Sequence, residues 1–132
     1  MRYETAFSLD TSSIKFGPGV TREVGYEMRR LGATRVMVLT DPGMADSEAV
    51  GTASKAIADE GIDAVLFDRV SVEPTDVSFK QAAAFAAAGG FDSYVAIGGG
   101  SSIDTAKAAN LYATYPADFL AYVNAPIGRG QP

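Results

Sequence analysis

Three apolar runs set the terms for this chain: Arg35-Val-Met-Val-Leu-Thr40, Ile62 to Phe67, and Ser93-Tyr-Val-Ala-Ile97. None alternates polar with apolar, so each strand has to be covered on both faces, as in a parallel sheet with helices on either side. The intervening segments supply the helices. Ala49, Val50, Ala53 and Ile57 recur at spacings of three and four and predict a helix over 45–60, stopped by Gly61. Thr75 reads as the N-cap of an alanine-rich helix over 76–88, stopped by Gly89-Gly90. Val20, Val24, Met28 and Leu31 predict an earlier helix closed by Gly32, and a later one runs from the glycine-rich stretch at 98–102 to about Tyr112. A last short helix is predicted over 117–123. At the start, Tyr3, Thr5, Phe7 and Leu9 alternate, a turn follows at Asp10-Thr11-Ser12, and Ile14 and Phe16 come next, which predicts a β-hairpin ended by Gly17-Pro18-Gly19. The expected fold is therefore α/β, a doubly wound and mostly parallel sheet with right-handed crossovers and an N-terminal β-hairpin, in one domain over 1–132.

Composition limits the chemistry. The chain has no cysteine and no histidine. That removes disulfides, thiolate nucleophiles, the Ser-His-Asp triad and the commonest transition-metal ligand, leaving carboxylates, lysines, hydroxyls and backbone amides. Such a kit suits binding a nucleotide better than catalysis. A net charge of −5 with scattered basic residues argues against nucleic acid; the one local cluster, Arg29, Arg30 and Arg35, reads as a solvated helix end. No apolar run reaches the roughly 20 residues that span a bilayer, so no membrane partner is expected. The opening residues carry neither a signal-peptide nor a transit pattern, which makes the cytoplasm the default expectation.

Ligands of open parallel sheets bind beyond the carboxyl ends of the strands. Two such ends carry unusual residues. Gly98-Gly99-Gly100-Ser101-Ser102 directly follows one strand and opens a helix. Without Cβ atoms a phosphate can approach the backbone, and the free N–H groups of the helix point at it. A tight turn needing positive φ would be satisfied by one glycine; three in a row point to a ligand lying on the loop. Ser101 or Ser102 adds a hydroxyl donor or caps the helix. The stretch is neither a P-loop nor the G-x-G-x-x-G fingerprint. The second end is Asp41. Alone, Asp41-Pro42-Gly43 is a plain turn; beside the glycine loop, its carboxylate reads as the acceptor for the ribose hydroxyls of an adenosine, repelling a 2′-phosphate. Asp104 follows in what is expected to be the first turn of the helix, with Lys107 three residues on. The spacing does not decide between a helix-dipole or surface ion-pair role and one that orients a polar group of the ligand.

Gly-Gly-Gly-Ser-Ser-Ile-Asp-Thr-Ala-Lys, positions 98–107, resembles the glycine motif GGGSxxDxxK of the iron-containing alcohol dehydrogenases. Phe-Gly-Pro-Gly-Val-Thr (16–21), Val-Glu-Pro-Thr-Asp (72–76), Ala-Ala-Asn-Leu-Tyr-Ala (108–113) and Asn-Ala-Pro-Ile-Gly-Arg-Gly (124–130) are similar to the hydroxyacid–oxoacid transhydrogenases within that family. The resemblance implies an N-terminal NAD-binding domain followed by a helical domain, outside this chain, in which one Asp and three His hold iron or zinc. It implies that Asp41 holds the adenosine ribose, that Gly98, Gly99 and Ser101 hold the pyrophosphate, with Gly100 and Ser102 in the same loop, and that Asp104 lies near the nicotinamide. It further implies a small hydroxy-acid or alcohol substrate (4-hydroxybutyrate with 2-oxoglutarate), a homo-oligomer at full length, and no activity for these 132 residues alone. The rival readings are a stand-alone nucleotide-binding module or inert truncated fragment, and an enzyme related to glycerol dehydrogenase or dehydroquinate synthase; Ser-Ile-Asp-Thr-Ala-Lys after the glycines favours the dehydrogenases over the synthases.

Overall fold

The computed structural model describes residues 6, 8 and 10–132. A 3₁₀ turn at Val20–Glu23 leads into α1 (Val24–Arg30), and then β1 (Arg35–Leu39), α2 (Glu48–Asp59), β2 (Asp63–Phe67), α3 (Asp76–Gly89), β3 (Ser93–Ala96) and α4 (Gly100–Thr114) follow, with a closing 3₁₀ turn at Phe119–Ala121. The three strands are parallel in the order β2-β1-β3. Among the described residues no helix is long and apolar enough to cross a membrane.

Alternate residues of the central strand feed two cores. Met37 and Leu39 pack with Phe67, Val70, Ala82, Ala86, Ala106 and Ala109 on the α3–α4 side. Val36 and Val38 pack with Ile57 and Ile62, backed by Val24 and Met28, on the α1–α2 side. All four β1 residues are fully buried, which is why the run does not alternate. Helices cover both faces, as expected for a doubly wound sheet.

The N-terminal hairpin fares differently. Its first arm, with Tyr3, Thr5, Phe7 and Leu9, lies outside the described residues. Its second arm is in no strand among the described residues, and Ile14 and Phe16 are 79% and 99% exposed. The helix expected over 45–60 begins only at Glu48. Turns closed by Met44 and Ser47 N–H groups occupy the preceding residues, and the Ser47 hydroxyl accepts from Val50 N–H to cap the helix. Thr75 caps α3 as predicted, reciprocally with Ser78. The last segment forms a 3₁₀ turn rather than a helix.

Two details position the sheet. A Cβ on Gly25 would lie 2.0 Å from the Ala56 carbonyl oxygen, so α1 and α2 meet backbone to backbone there. Gly25→Ala is expected to destabilise the fold by about 2 kcal/mol or more, overpacking outweighing the gain in helix propensity; a urea midpoint unchanged from the parent chain would contradict that close approach.

At the amino ends of the strands the Asp92 carboxylate accepts hydrogen bonds from Thr34 N–H (2.9 Å), from Arg35 N–H (3.2 Å) and from the Thr34 hydroxyl, clamping β3 to β1. The Thr34 hydroxyl bond, ahead of the backbone ones, holds this carboxyl below its ordinary 3.8. A carboxyl depressed in the folded state adds stability above its ordinary value, and that stability is lost as pH falls through 3.8 toward the folded value. Acid titration of the melting temperature should show this loss below about pH 4. In Asp92→Asn the loss should be shallower and the neutral-pH stability lower.

Candidate functional site

The chain leaves β1 toward α2 on one face of the sheet and leaves β3 toward α4 on the other. The two loops thus part at the carboxyl ends of adjacent strands, the place where a crevice in doubly wound sheets holds ligands. Thr40 joins the two ends. It is fully buried, its hydroxyl donates to the Ile97 carbonyl (2.8 Å) and its N–H to that of Phe67 (2.9 Å). Sequence reasoning took Thr40 only as the last residue of a strand; the available signal was a polar side chain closing an apolar run.

Of the predicted site residues, Asp41, Gly98 and Ser102 come together here. One oxygen of Asp41 accepts from Met44 N–H at 3.2 Å and closes the local turn. The other, Oδ2, lies 3.6 Å from where a Gly98 Cβ would stand. One oxygen of Asp41 thus serves the turn and the other faces the glycine loop.

The three glycines have different physical origins. Gly98 sits at φ +145°, and a Cβ there would come 2.7 Å from the Ser102 hydroxyl, so the fold itself demands glycine. At Gly99 and Gly100 a Cβ would meet nothing within 4 Å, and both are exposed. Packing gives no reason for the absence of side chains there, whereas a ligand on the loop does.

Helix α4 starts at Gly100 with Gly99 as N-cap and no side-chain cap, leaving its first N–H groups facing the loop. Capping by Ser101 or Ser102 is therefore not observed. Ser101 is half-buried and its carbonyl accepts from the Thr105 hydroxyl (2.7 Å). Ser102 is fully buried beneath Gly98, and its hydroxyl has no hydrogen-bond partner among the described residues. Leaving such a group unsatisfied costs about 1–3 kcal/mol.

Asp104 is the fifth residue of α4 and exposed, past the first turn where a helix dipole would favour it. No ion pair joins it to Lys107 among the described residues.

Bare N–H groups, two glycines free of packing demands and a nearby carboxylate fit a nucleoside diphosphate: anion at the helix end, diol at the aspartate. A transition metal does not fit. The chain has no histidine or cysteine, and among the described residues no three acidic side chains converge. A larger cleft of about 620 Å³ lies elsewhere, lined by Gly19, Thr21, Arg22, Glu48, Ala49 and Thr52. None of the loop residues borders it, so volume alone does not find the crevice.

Comparison with known proteins identifies relatives by sequence and by fold. The sequence model of the iron-containing alcohol dehydrogenases matches residues 11–132. The mitochondrial hydroxyacid-oxoacid transhydrogenase of Bos taurus is 48% identical over 128 residues, 96% of this chain and 28% of that protein. The chain thus spans just over a quarter of the length of that curated relative. Among solved structures, NADH-dependent butanol dehydrogenase A from Thermotoga maritima superposes with a TM-score of 0.79 at 24% identity, covering 89% of this chain and 30% of its own. A 1,3-propanediol oxidoreductase gives 0.77 at 29% identity, with 82% and 28% covered. One expectation is overturned: the transhydrogenase relatives are mitochondrial by name, so the cytoplasmic default does not stand.

Proposed function

Since the chain belongs to the iron-containing alcohol dehydrogenase family, we propose that it is the coenzyme-binding part of a nicotinamide-dependent oxidoreductase, with the transhydrogenation of hydroxy acids and oxo acids as its reaction. The observation that carries this reading is the meeting of Asp41 with the glycine loop and the uncapped start of α4 at one pair of strand ends. In it the N–H groups of Gly100 and Ser101 hold the pyrophosphate, Gly99 and Gly100 make room for it, and the outward Asp41 oxygen accepts from the ribose hydroxyls. A bound nicotinamide supplies the hydride acceptor and donor. The Thr40 clamp keeps the two halves of the seat in register.

The 48% identity to the transhydrogenases favours a hydroxy acid and an oxo acid over simple alcohols, and the pair implied by the sequence resemblance is 4-hydroxybutyrate with 2-oxoglutarate. The metal that polarises the substrate oxygen in this family has no ligand set among the described residues, so we assign it to residues outside 1–132.

It follows that the 132-residue chain alone should hold no stoichiometric zinc or iron, bind NAD weakly and turn over no hydroxy acid. Elemental analysis beside a coupled assay with 4-hydroxybutyrate and 2-oxoglutarate tests this. Turnover by the metal-free chain would place the reacting groups within these residues and overturn the assignment.

A further inference from the structure

Behind the glycine loop, the outer side of α4 meets the segment that follows it. Tyr112 stacks on Phe119 with centroids 5.5 Å apart and meets Tyr122 edge-on at 5.2 Å. The segment is folded back on itself: Arg129 N–H donates to the Leu120 carbonyl (2.8 Å) and Gln131 N–H to that of Ala121 (2.9 Å). A cleft of about 250 Å³ opens between this segment and the helices, with walls that include Phe79, Leu111, Phe119 and Val123 and with Lys107 as its one charged residue.

The polar groups of that cleft differ in availability. The Tyr112 hydroxyl donates to the Phe119 carbonyl and the Tyr122 hydroxyl to that of Tyr115 (2.7 Å). The nearby Lys80 lies over the Phe119 ring at 5.1 Å and pairs with Asp76 at 3.7 Å. Lys107 has no ion-pair partner among the described residues, Asp104 included. It also borders the adjoining cleft of about 240 Å³ with Asn110, Thr114 and Tyr115. An ammonium without an ion-pair partner on the lining of an apolar slot is complementary to an aliphatic chain ending in a carboxylate. The slot is smaller than the roughly 300–1,000 Å³ of drug-sized pockets, which limits the chain to a few carbons.

We propose that the cleft between α4 and the 117–123 segment is a binding site for a short aliphatic carboxylate, its charge on Lys107 and its chain against Leu111, Phe119 and Val123. The site is separate from the coenzyme crevice and stands whether or not NAD binds there.

Titration of the 132-residue chain with sodium butyrate, followed by ¹⁵N–¹H correlation spectra, tests it, with n-butylammonium as the probe of equal chain and opposite charge. Butyrate should shift the amides of Lys107, Leu111 and Val123 saturably, with n-butylammonium at least fivefold weaker. Lys107→Met should weaken butyrate at least fivefold, while Lys107→Arg stays within twofold of the parent; the residue is exposed, so neither should disturb the fold. Equal binding of the two probes, unchanged affinity in Lys107→Met, or no saturable shifts would each overturn the proposal. Saturating NAD should leave the butyrate affinity unchanged, so shifts confined to the glycine loop test the coenzyme reading and not this one.

Discussion

Gly99→Val should lower NAD affinity about thirtyfold or more while changing the stability of the chain by less than about 1 kcal/mol. A side chain at Gly99 meets nothing in the protein, so the fold tolerates it apart from the modest preference against valine at an N-cap. Its branched carbons would occupy the space over the first N–H groups of α4, where the pyrophosphate has to come close. Thirtyfold corresponds to about 2 kcal/mol, the scale of losing one or two charge-assisted hydrogen bonds.

Gly98→Ala is the contrasting variant. At φ +145° with the Ser102 hydroxyl 2.7 Å from the new carbon, it should destabilise the chain by about 2 kcal/mol or more, from backbone strain and overpacking together. Calorimetric titration with NAD and thermal melts of both variants separate the two effects. If Gly99→Val binds NAD normally, the loop carries no ligand; if Gly98→Ala is as stable as the parent, the packing of Ser102 beneath Gly98 is wrong.

The second large effect concerns the choice between NAD and NADP. The outward oxygen of Asp41 is a fixed negative charge where a 2′-phosphate would sit, so NAD should be preferred. Asparagine is a more informative replacement than glycine. It keeps an acceptor for the Met44 N–H and so preserves the turn, but removes the charge. Asp41→Asn should narrow the NAD-over-NADP preference by about 1–2 kcal/mol, roughly five- to thirtyfold, mostly by improving NADP. Competition titrations of the two coenzymes measure it. A parent chain that prefers NADP, or a variant with an unchanged ratio, would remove Asp41 from the ribose.

Much of this architecture was legible in the residues because buried parallel strands are written as unbroken apolar runs. The expected 35–40, 62–67 and 93–97 became Arg35–Leu39, Asp63–Phe67 and Ser93–Ala96. Thr75 and Gly90 marked the ends of α3 because caps act locally. What escaped depends on contacts across the chain. Thr40 looks like any strand terminus until Ile97 is beside it. Gly25 is one more glycine until α2 crosses at backbone distance. Ser102 reads as a loop hydroxyl, but α4 begins two residues earlier and turns that side chain inward beneath Gly98. The alternating start at 3–9 lies outside the described residues, and of the predicted hairpin only the stretch with Ile14 and Phe16 is described, exposed and in no strand.

The residues of the glycine motif act differently: Gly98 answers to the fold, whereas no packing demand falls on Gly99 or Gly100.

If the coenzyme sits between the ends of β1 and β3, titration of the ¹⁵N-labelled 132-residue chain with NAD should give shifts concentrated at Asp41 and Gly98 to Ser102, with Thr21, Arg22 and Thr52 unmoved although they line the cleft of about 620 Å³. Saturable shifts at those three residues, with none in the glycine loop, would contradict that placement.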